Sequence, residues 1–385
     1  MKRKVLLLAL LIVIGFILPV QAAEPVRIGY VAHLTGDYGA MGKEGLESLK
    51  MLIADINKVG VIGGRKIELI SEDDAGNPQK AKAAAQALVK KKVVAVIGSY
   101  NSDCTDAMQD VLNDAKIIHL TGSSTAVRLT EKGYWYFFRV TTRDDEQSKA
   151  VMNVIGKMNL KKVAILHDGG IYSKGFAEEM QRLFDDEPEM ELVFYEAIAP
   201  GKEDYTEVMS RMKATDPDIV FYTGYHPEAV RLLQAKAKME WKNVIFMGGD
   251  AMNARDLVTL AGLKAVEGFY FLSPPMPQDL RSKQGKQFLK KFNKRFGHMP
   301  QYYDSISTTD ALKVVLDSIR TLKTVDTDRL SDFIHTKYLN NNGMIGRIFF
   351  DKKGDLQSDL HGVYRVDQKG QFVLFRLIEY GKMVK

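Results

Sequence analysis

Short β-rich runs alternate with amphipathic helical segments from residue 26 to residue 272, and this alternation constrains the fold more than any other feature. The segment 43–57 is one example, because its apolar residues recur at three- and four-residue steps, as on a helix with one buried face. Strands that alternate with helices form parallel sheets covered by helices on both faces. The predicted strands are 26–31, 66–70, 93–97, 117–120, 163–167, 192–198, 219–223, 244–247 and 268–272.

The length of the chain predicts two lobes. With 385 residues, 45% of them apolar, the chain exceeds the usual size of a single core. A strand-loop-helix unit that begins at Val26 is repeated weakly from Val163, and the extended segment 136–142 lies between the two units. A strand-rich closing part, 346–380, contains turn sequences at 351–355 and 367–370. We therefore expect an α/β fold of two doubly wound parallel-sheet lobes.

The N-terminal residues resemble a secretory signal peptide. A basic start is followed by the uncharged run 5–18 and by small residues that favour cleavage after Ala22. The alternative is an uncleaved anchor helix, although the run is shorter than the ~20 residues that span a bilayer. No cysteine follows the run, which excludes a lipoprotein. Residues 1–22 are thus predicted to be a cleaved leader of an exported protein.

Charge and cysteine content narrow the function further. The leader carries three of the 54 basic residues, so the mature chain would hold 51 basic residues against 48 acidic ones. A net charge of about +3 is too small to indicate that the protein binds nucleic acid. The lone Cys104 cannot form an intramolecular disulfide and is predicted to be a free thiol.

Catalytic and metal signatures are incomplete. The glycines of 36–43 lack phosphate-loop spacing, and Glu44 stands where a Ser or Thr would hold Mg²⁺. The segment 122–126 lacks the last glycine of a nucleophile elbow. The seven histidines show no metal-ligand spacing. We expect no enzyme activity, no catalytic residue, no cofactor and no metal.

Polar residues follow the predicted strands at the ends where α/β sheets bind ligands. Ser102, Ser123 and Thr125 lie in two loops that precede helices, where hydroxyls and free N–H groups suit a carboxylate. Taken alone, each hydroxyl is better explained as a helix cap, but several such loops at strand ends together favour a binding site. Tyr225 and Asp250 follow two later strands, and Asp250 is suited to an ammonium group. Facing lobes would bring both sets together in a cleft.

The sequence resembles the leucine/isoleucine/valine-binding proteins, a branch of the type I periplasmic binding proteins. The similarity covers nearly the whole mature chain. The segments that carry it are 54–57, 73–78, 96–98, 129–134, 138–139, 144–147, 222–228 and 246–248.

The resemblance implies a ligand site and a hinge. Its first-lobe residues would be Ser102, Ser123 and Thr125, its second-lobe residues Tyr172, Tyr225 and Asp250, and its apolar wall would include Tyr38 and Met41. Three crossover strands near Thr141, Ser273 and Arg347 would join a first lobe (23–141 and 273–347) to a second (142–272 and 348–385). Binding would close the hinge.

The resemblance also implies a function. The protein would be a monomer in the periplasm that delivers a small L-α-amino acid, with an aliphatic side chain, to an ABC-type permease. The alternatives are a periplasmic sensory receptor, or the same fold binding an amide, urea or an aromatic acid.

Overall fold

Two β-sheets organise the chain in the computed structural model, which describes residues 24–358, 360–379 and 382–384. The first sheet has five parallel strands in the order β2-β1-β3-β4-β5. They are β1 (Val26–Ala32), β2 (Ile67–Asp73), β3 (Ala95–Ile97), β4 (Ile118–Thr121) and β5 (Phe137–Arg139).

The second sheet has eight described strands in the order β13-β12-β11-β10-β9-β8-β6-β7. Its strands β6 to β10 are parallel, whereas β11 to β13 pair antiparallel. They are β6 (Lys162–His167), β7 (Glu191–Ala197), β8 (Ile219–Tyr222), β9 (Ile245–Gly248), β10 (Tyr270–Ser273), β11 (Leu360–Val366), β12 (Phe372–Glu379) and β13 (Lys382–Val384).

Helices connect the parallel strands, because neighbouring parallel strands need a crossover connection. Local sequence sets several helix ends: Asn77 caps the second helix by accepting a bond from the N–H of Lys80, and Pro78 occupies its first position. The helices are α1 (Gly39–Ile56), α2 (Pro78–Lys90), α3 (Ser102–Asp114), α4 (Arg128–Glu131), α5 (Asp144–Lys157), α6 (Ile171–Leu183), α7 (Thr206–Ala214), α8 (His226–Lys238), α9 (Asp256–Ala261), α10 (Leu263–Val266), α11 (Lys283–Phe296), α12 (Asp304–Leu322) and α13 (Thr327–Thr336).

Each sheet has its own apolar core. Strands β1, β3 and β4 pack against α12 and α13, which come much later in the chain. Strands β6, β8, β9 and β10 pack with α5, α6 and α8, and the late strands β11 and β12 complete this second core. The doubly wound α/β fold expected from the alternation is confirmed, and every predicted strand overlaps an observed one. Strand β5 was expected only as extended chain.

The chain passes between the sheets after β5, after β10 and again before β11. The predicted lobe boundaries stay a prediction. However, the N–H of Arg139 in β5 donates to the carbonyl of Gly354 at 3.0 Å, and Phe350 packs on Phe138. Residues 348–356, which the predicted boundary assigns to the second lobe, therefore lie against the first sheet.

The closing part forms the predicted turns at Asp351 and Asp367, each closed by a bond from a glycine N–H three residues later. No helix among the described residues has the length and apolarity to cross a bilayer. The predicted leader, 1–22, lies outside the described residues.

Candidate functional site

Loops at the carboxyl ends of the parallel strands meet in a cleft between the two sheets. From the first sheet, β3 leads into the loop before Ser102, and β4 leads into the loop of Ser123 and Thr125. From the second sheet, β8 leads to Tyr225 and β9 to Asp250. Carboxyl ends of parallel strands face the same edge, so the fold brings these short segments together.

The cleft contains a cavity with about 390 Å³ of space free of protein atoms, part of it open to solvent. Six predicted site residues line it: Ser102, Ser123, Thr125, Tyr172, Tyr225 and Asp250. The other two, Tyr38 and Met41, line a second cavity beside it. Tyr100 and Asp304 line both cavities and so mark where the two meet.

Asp250 is the acidic group on the second-sheet side of the cleft. Its carboxylate accepts hydrogen bonds from the Tyr172 hydroxyl at 2.9 Å and from the Gln147 amide at 3.1 Å. Gly249 allows this approach, because a Cβ there would lie 2.5 Å from the Tyr172 hydroxyl. Burial raises the pKa of Asp250 to about 6, although these two hydrogen bonds lower it. Its carboxylate is thus held in place and largely ionised at pH 7.

The three first-sheet hydroxyls differ in what they already bond. The hydroxyl oxygen of Ser102 accepts the N–H of Ala126 at 3.3 Å, and Ser123 donates to Asp304. For Thr125 the contact is made by the backbone: its carbonyl accepts the N–H of buried Asp144 at 3.1 Å. The first turn of α3 has no side-chain cap, so the capping explanation fails for Ser102. The N–H groups in the first turn of α3 carry partial positive charge and can therefore bind an anion.

Asp304 lines both cavities of the candidate site, and the sequence analysis missed it. It begins α12 and is 8% exposed. Gly122 lets α12 approach the β4 loop, since a Cβ there would lie 2.8 Å from the backbone of Ser307. Burial raises the pKa of Asp304 to about 6; bonds from Ser123 and Thr308 lower it, and nearby Glu44 raises it. No strand comes directly before Asp304 in the sequence, so the argument from strand ends did not identify this residue.

Tyrosine rings form much of the cavity wall. The ring centroid of Tyr225 lies 5.2 Å from that of Tyr172 and 6.0 Å from that of Tyr100. The buried hydroxyls of Tyr100 and Tyr303 have no hydrogen-bond partner among the described residues. Tyr100 was within reach of the sequence argument, because it lies in the same strand-end loop as Ser102.

The two sides of the cleft touch in the structure. The carboxylate of Asp103 accepts the N–H of Ile171, at the start of α6, at 3.2 Å. The ring of Tyr38 meets that of His226 edge to face at 5.0 Å. These contacts join the two sides of the cleft.

A buried ion-pair network holds the first-sheet loop. Arg139 is fully buried, and its Nε lies 2.6 Å from the carboxylate of Asp355. The same guanidinium donates to the Ala126 carbonyl at 3.0 Å and to the Thr130 hydroxyl at 2.7 Å. Arg143 bonds the other oxygen of Asp355 at 2.8 Å. Arg139 therefore fixes the loop that carries Thr125 into the cavity.

Beside the second cavity, which His33 lines, the buried residues His33, Asp74 and Cys104 each place one potential ligand atom within 4.8 Å of the other two. The carboxylate of Asp74 already accepts bonds from the Ser99 hydroxyl and from the N–H of Gly76. Burial raises the pKa of Cys104 well above its usual range, which favours the thiol over the thiolate that binds metals. These contacts suit a packed polar cluster, and the absence of a metal site stays a prediction.

Comparisons with known proteins agree with this architecture. The family model for periplasmic binding proteins matches residues 25–371. An amino acid binding protein of Pseudomonas aeruginosa is 29% identical over 96% of this chain and 97% of its own. The Leu/Ile/Val-binding protein of Escherichia coli K12 is 27% identical over 89% of this chain and 91% of its own.

Solved structures share the fold. The branched-chain amino acid transporter substrate binding protein LivJ of Streptococcus pneumoniae, in complex with isoleucine, has a TM-score of 0.83, 24% identity, and coverage of 92% of this chain and 99% of that one. A solute binding protein of an ABC transporter from Rhodopseudomonas palustris, in complex with 3,4-dihydroxybenzoic acid, has a TM-score of 0.80, 21% identity, and coverage of 93% and 98%.

Proposed function

The chain belongs to the periplasmic binding protein family, and from this premise we propose that it binds an α-amino acid in the cleft and delivers it to an ABC-type importer. Its homologues and its fold are those of solute-binding proteins, so the chain is not an enzyme. We place it in the periplasm as a monomer whose hinge closes on the solute.

The proposal rests on the placement of an acidic group on one side of the cavity and an anion-binding helix end on the other. Asp250 lies on one side, without an ion-pair partner among the described residues. The uncapped N-terminus of α3 and Thr125 lie on the other side. An α-amino acid presents an ammonium and a carboxylate on neighbouring atoms, which matches an acidic group opposite an anion-binding helix end.

The rival ligand classes match the cavity less well. An aromatic acid would bring its only charge, a carboxylate, into a cavity that already holds Asp250 and Asp304. Urea and simple amides carry no charge and would leave both carboxylates without a counter-charge. The two relatives described above are an amino acid binding protein and a Leu/Ile/Val-binding protein, which favours an amino acid here too.

A thermal-shift panel tests the proposal. L-amino acids at a hundred times their dissociation constant should add about 2.7 kcal/mol of stability, whereas urea, acetamide and benzoate should add little. Asp250→Asn should weaken binding of the best amino acid at least tenfold, because the ammonium loses its counter-charge. Asp185→Asn, at an exposed position, is the control and should bind like the parent.

Two results would contradict the proposal. One is a parent protein that responds only to compounds without an amino group. The other is an Asp250→Asn protein that, measured by calorimetry, binds amino acids as tightly as the parent.

A further inference from the structure

We propose that the solute carries a second positively charged nitrogen, on its side chain, and that Asp304 binds this nitrogen where the two cavities meet. The inference rests on the amino-acid ligand proposed above and names its side-chain class as basic. It departs from the aliphatic side chain that the sequence resemblance implies.

The position of Asp304 is the first argument. The head group of the solute is assigned to the first cavity, between Asp250 and the start of α3. The residues expected to contact the side chain, Tyr38 and Met41, line the second cavity. Asp304 lines both, so a side chain that extends from the head group towards Met41 passes its carboxylate.

The surroundings of Asp304 are the second argument. Ser123 and Thr308 give it hydrogen bonds, but no described ion pair includes it. The charged residue nearby is Glu44, which is also acidic and is occupied by the N–H groups of Gln301 and Tyr302. An apolar ligand side chain would leave a buried carboxylate without a counter-charge. A cationic nitrogen would supply that charge.

The aromatic wall is the third argument. Tyr100 also lines both cavities, and its buried hydroxyl has no partner among the described residues. Tyr303, next to Asp304 in sequence, likewise has a buried hydroxyl without a described partner. Phenol oxygens accept N–H groups, and tyrosine faces attract cations. The junction thus combines the acceptors and rings that suit an ammonium or a guanidinium.

Matched ligands test the inference by calorimetry. L-Norleucine reproduces the hydrocarbon part of L-lysine without its terminal nitrogen, and L-ornithine shortens the chain by one carbon. The parent should bind lysine or ornithine at least tenfold more tightly than norleucine. Asp304→Asn, which keeps an acceptor for Ser123, should lose this preference while its norleucine affinity holds or improves.

Two further variants complete the design. Asp317→Asn removes a negative charge from the same helix, outside both cavities, and should keep the preference for basic ligands. Asp304→Glu retains the charge and should also keep a preference for basic ligands over norleucine. Far-ultraviolet circular dichroism verifies that each variant is folded.

The outcomes separate this inference from the amino-acid proposal. Norleucine binding as tightly as lysine and ornithine, or a preference unchanged in Asp304→Asn, overturns the inference and leaves the amino-acid proposal standing. Binding of 1,5-diaminopentane, weakened in Asp304→Asn, without binding of any amino acid overturns the amino-acid proposal but supports the pairing at Asp304. Binding of neither class overturns both.

Discussion

Replacement of Asp304 by Asn should stabilise the ligand-free protein. Burial raises the pKa of Asp304 from an ordinary value of 3.8 to about 6. The folded protein therefore holds this proton more tightly than the unfolded chain, and the contribution of Asp304 to stability falls as the pH rises from about 4 to about 6. With a pKa shift of this size, the Asp304 carboxylate destabilises the folded protein by ~3 kcal/mol at pH 7.5 and by ~1 kcal/mol at pH 4.5. Asn carries no charge, and its amide oxygen still accepts the bond from Ser123.

Urea denaturation of ligand-free protein at both pH values measures this effect. Asp304→Asn should gain ~3 kcal/mol over the parent at pH 7.5 and about a third of that at pH 4.5. Asp185→Asn, which changes an exposed carboxylate, should lie within ~0.5 kcal/mol of the parent at both. A gain that is equal at the two pH values would refute the charge argument, and so would a variant less stable than the parent at pH 7.5.

Two other predictions follow from buried groups. Cys104 is buried and unpaired among the described residues. Intact-mass spectrometry without reductant should therefore show one alkylation adduct in denaturant and little alkylation of the native protein. The absence of an adduct in denaturant would mean that the thiol is already oxidised or modified. Arg139→Met should cost ~3–5 kcal/mol in urea denaturation, because part of the Asp355 carboxylate loses its buried partner, and Arg139→Met with Asp355→Leu should recover part of that loss.

The strands could be predicted from the sequence because they are short, apolar and bounded by helical segments. Strand β5 was read only as extended chain, since its three residues are too few to show a pattern. The boundary near Arg347 was predicted from the family resemblance alone, whereas the contact of Gly354 with β5 depends on a backbone bond between distant segments.

The candidate site was predictable where it follows a strand. The loops of Ser102, Thr125 and Asp250 end parallel strands, and topology alone brings such ends together. Asp304 was not predictable in this way, because its place depends on how α12 packs beside Gly122. The location of Met41 in the neighbouring cavity likewise depends on the packing of α1.

Both apolar cores are discontinuous in the chain, and this has a consequence for synthesis. The first core needs α12, which begins at Asp304, and the second needs β11, which begins at Leu360. A nascent chain therefore cannot close either core until most of its length has left the ribosome. Until then it exposes apolar strands to chaperones, and truncation before α12 would leave both halves incomplete.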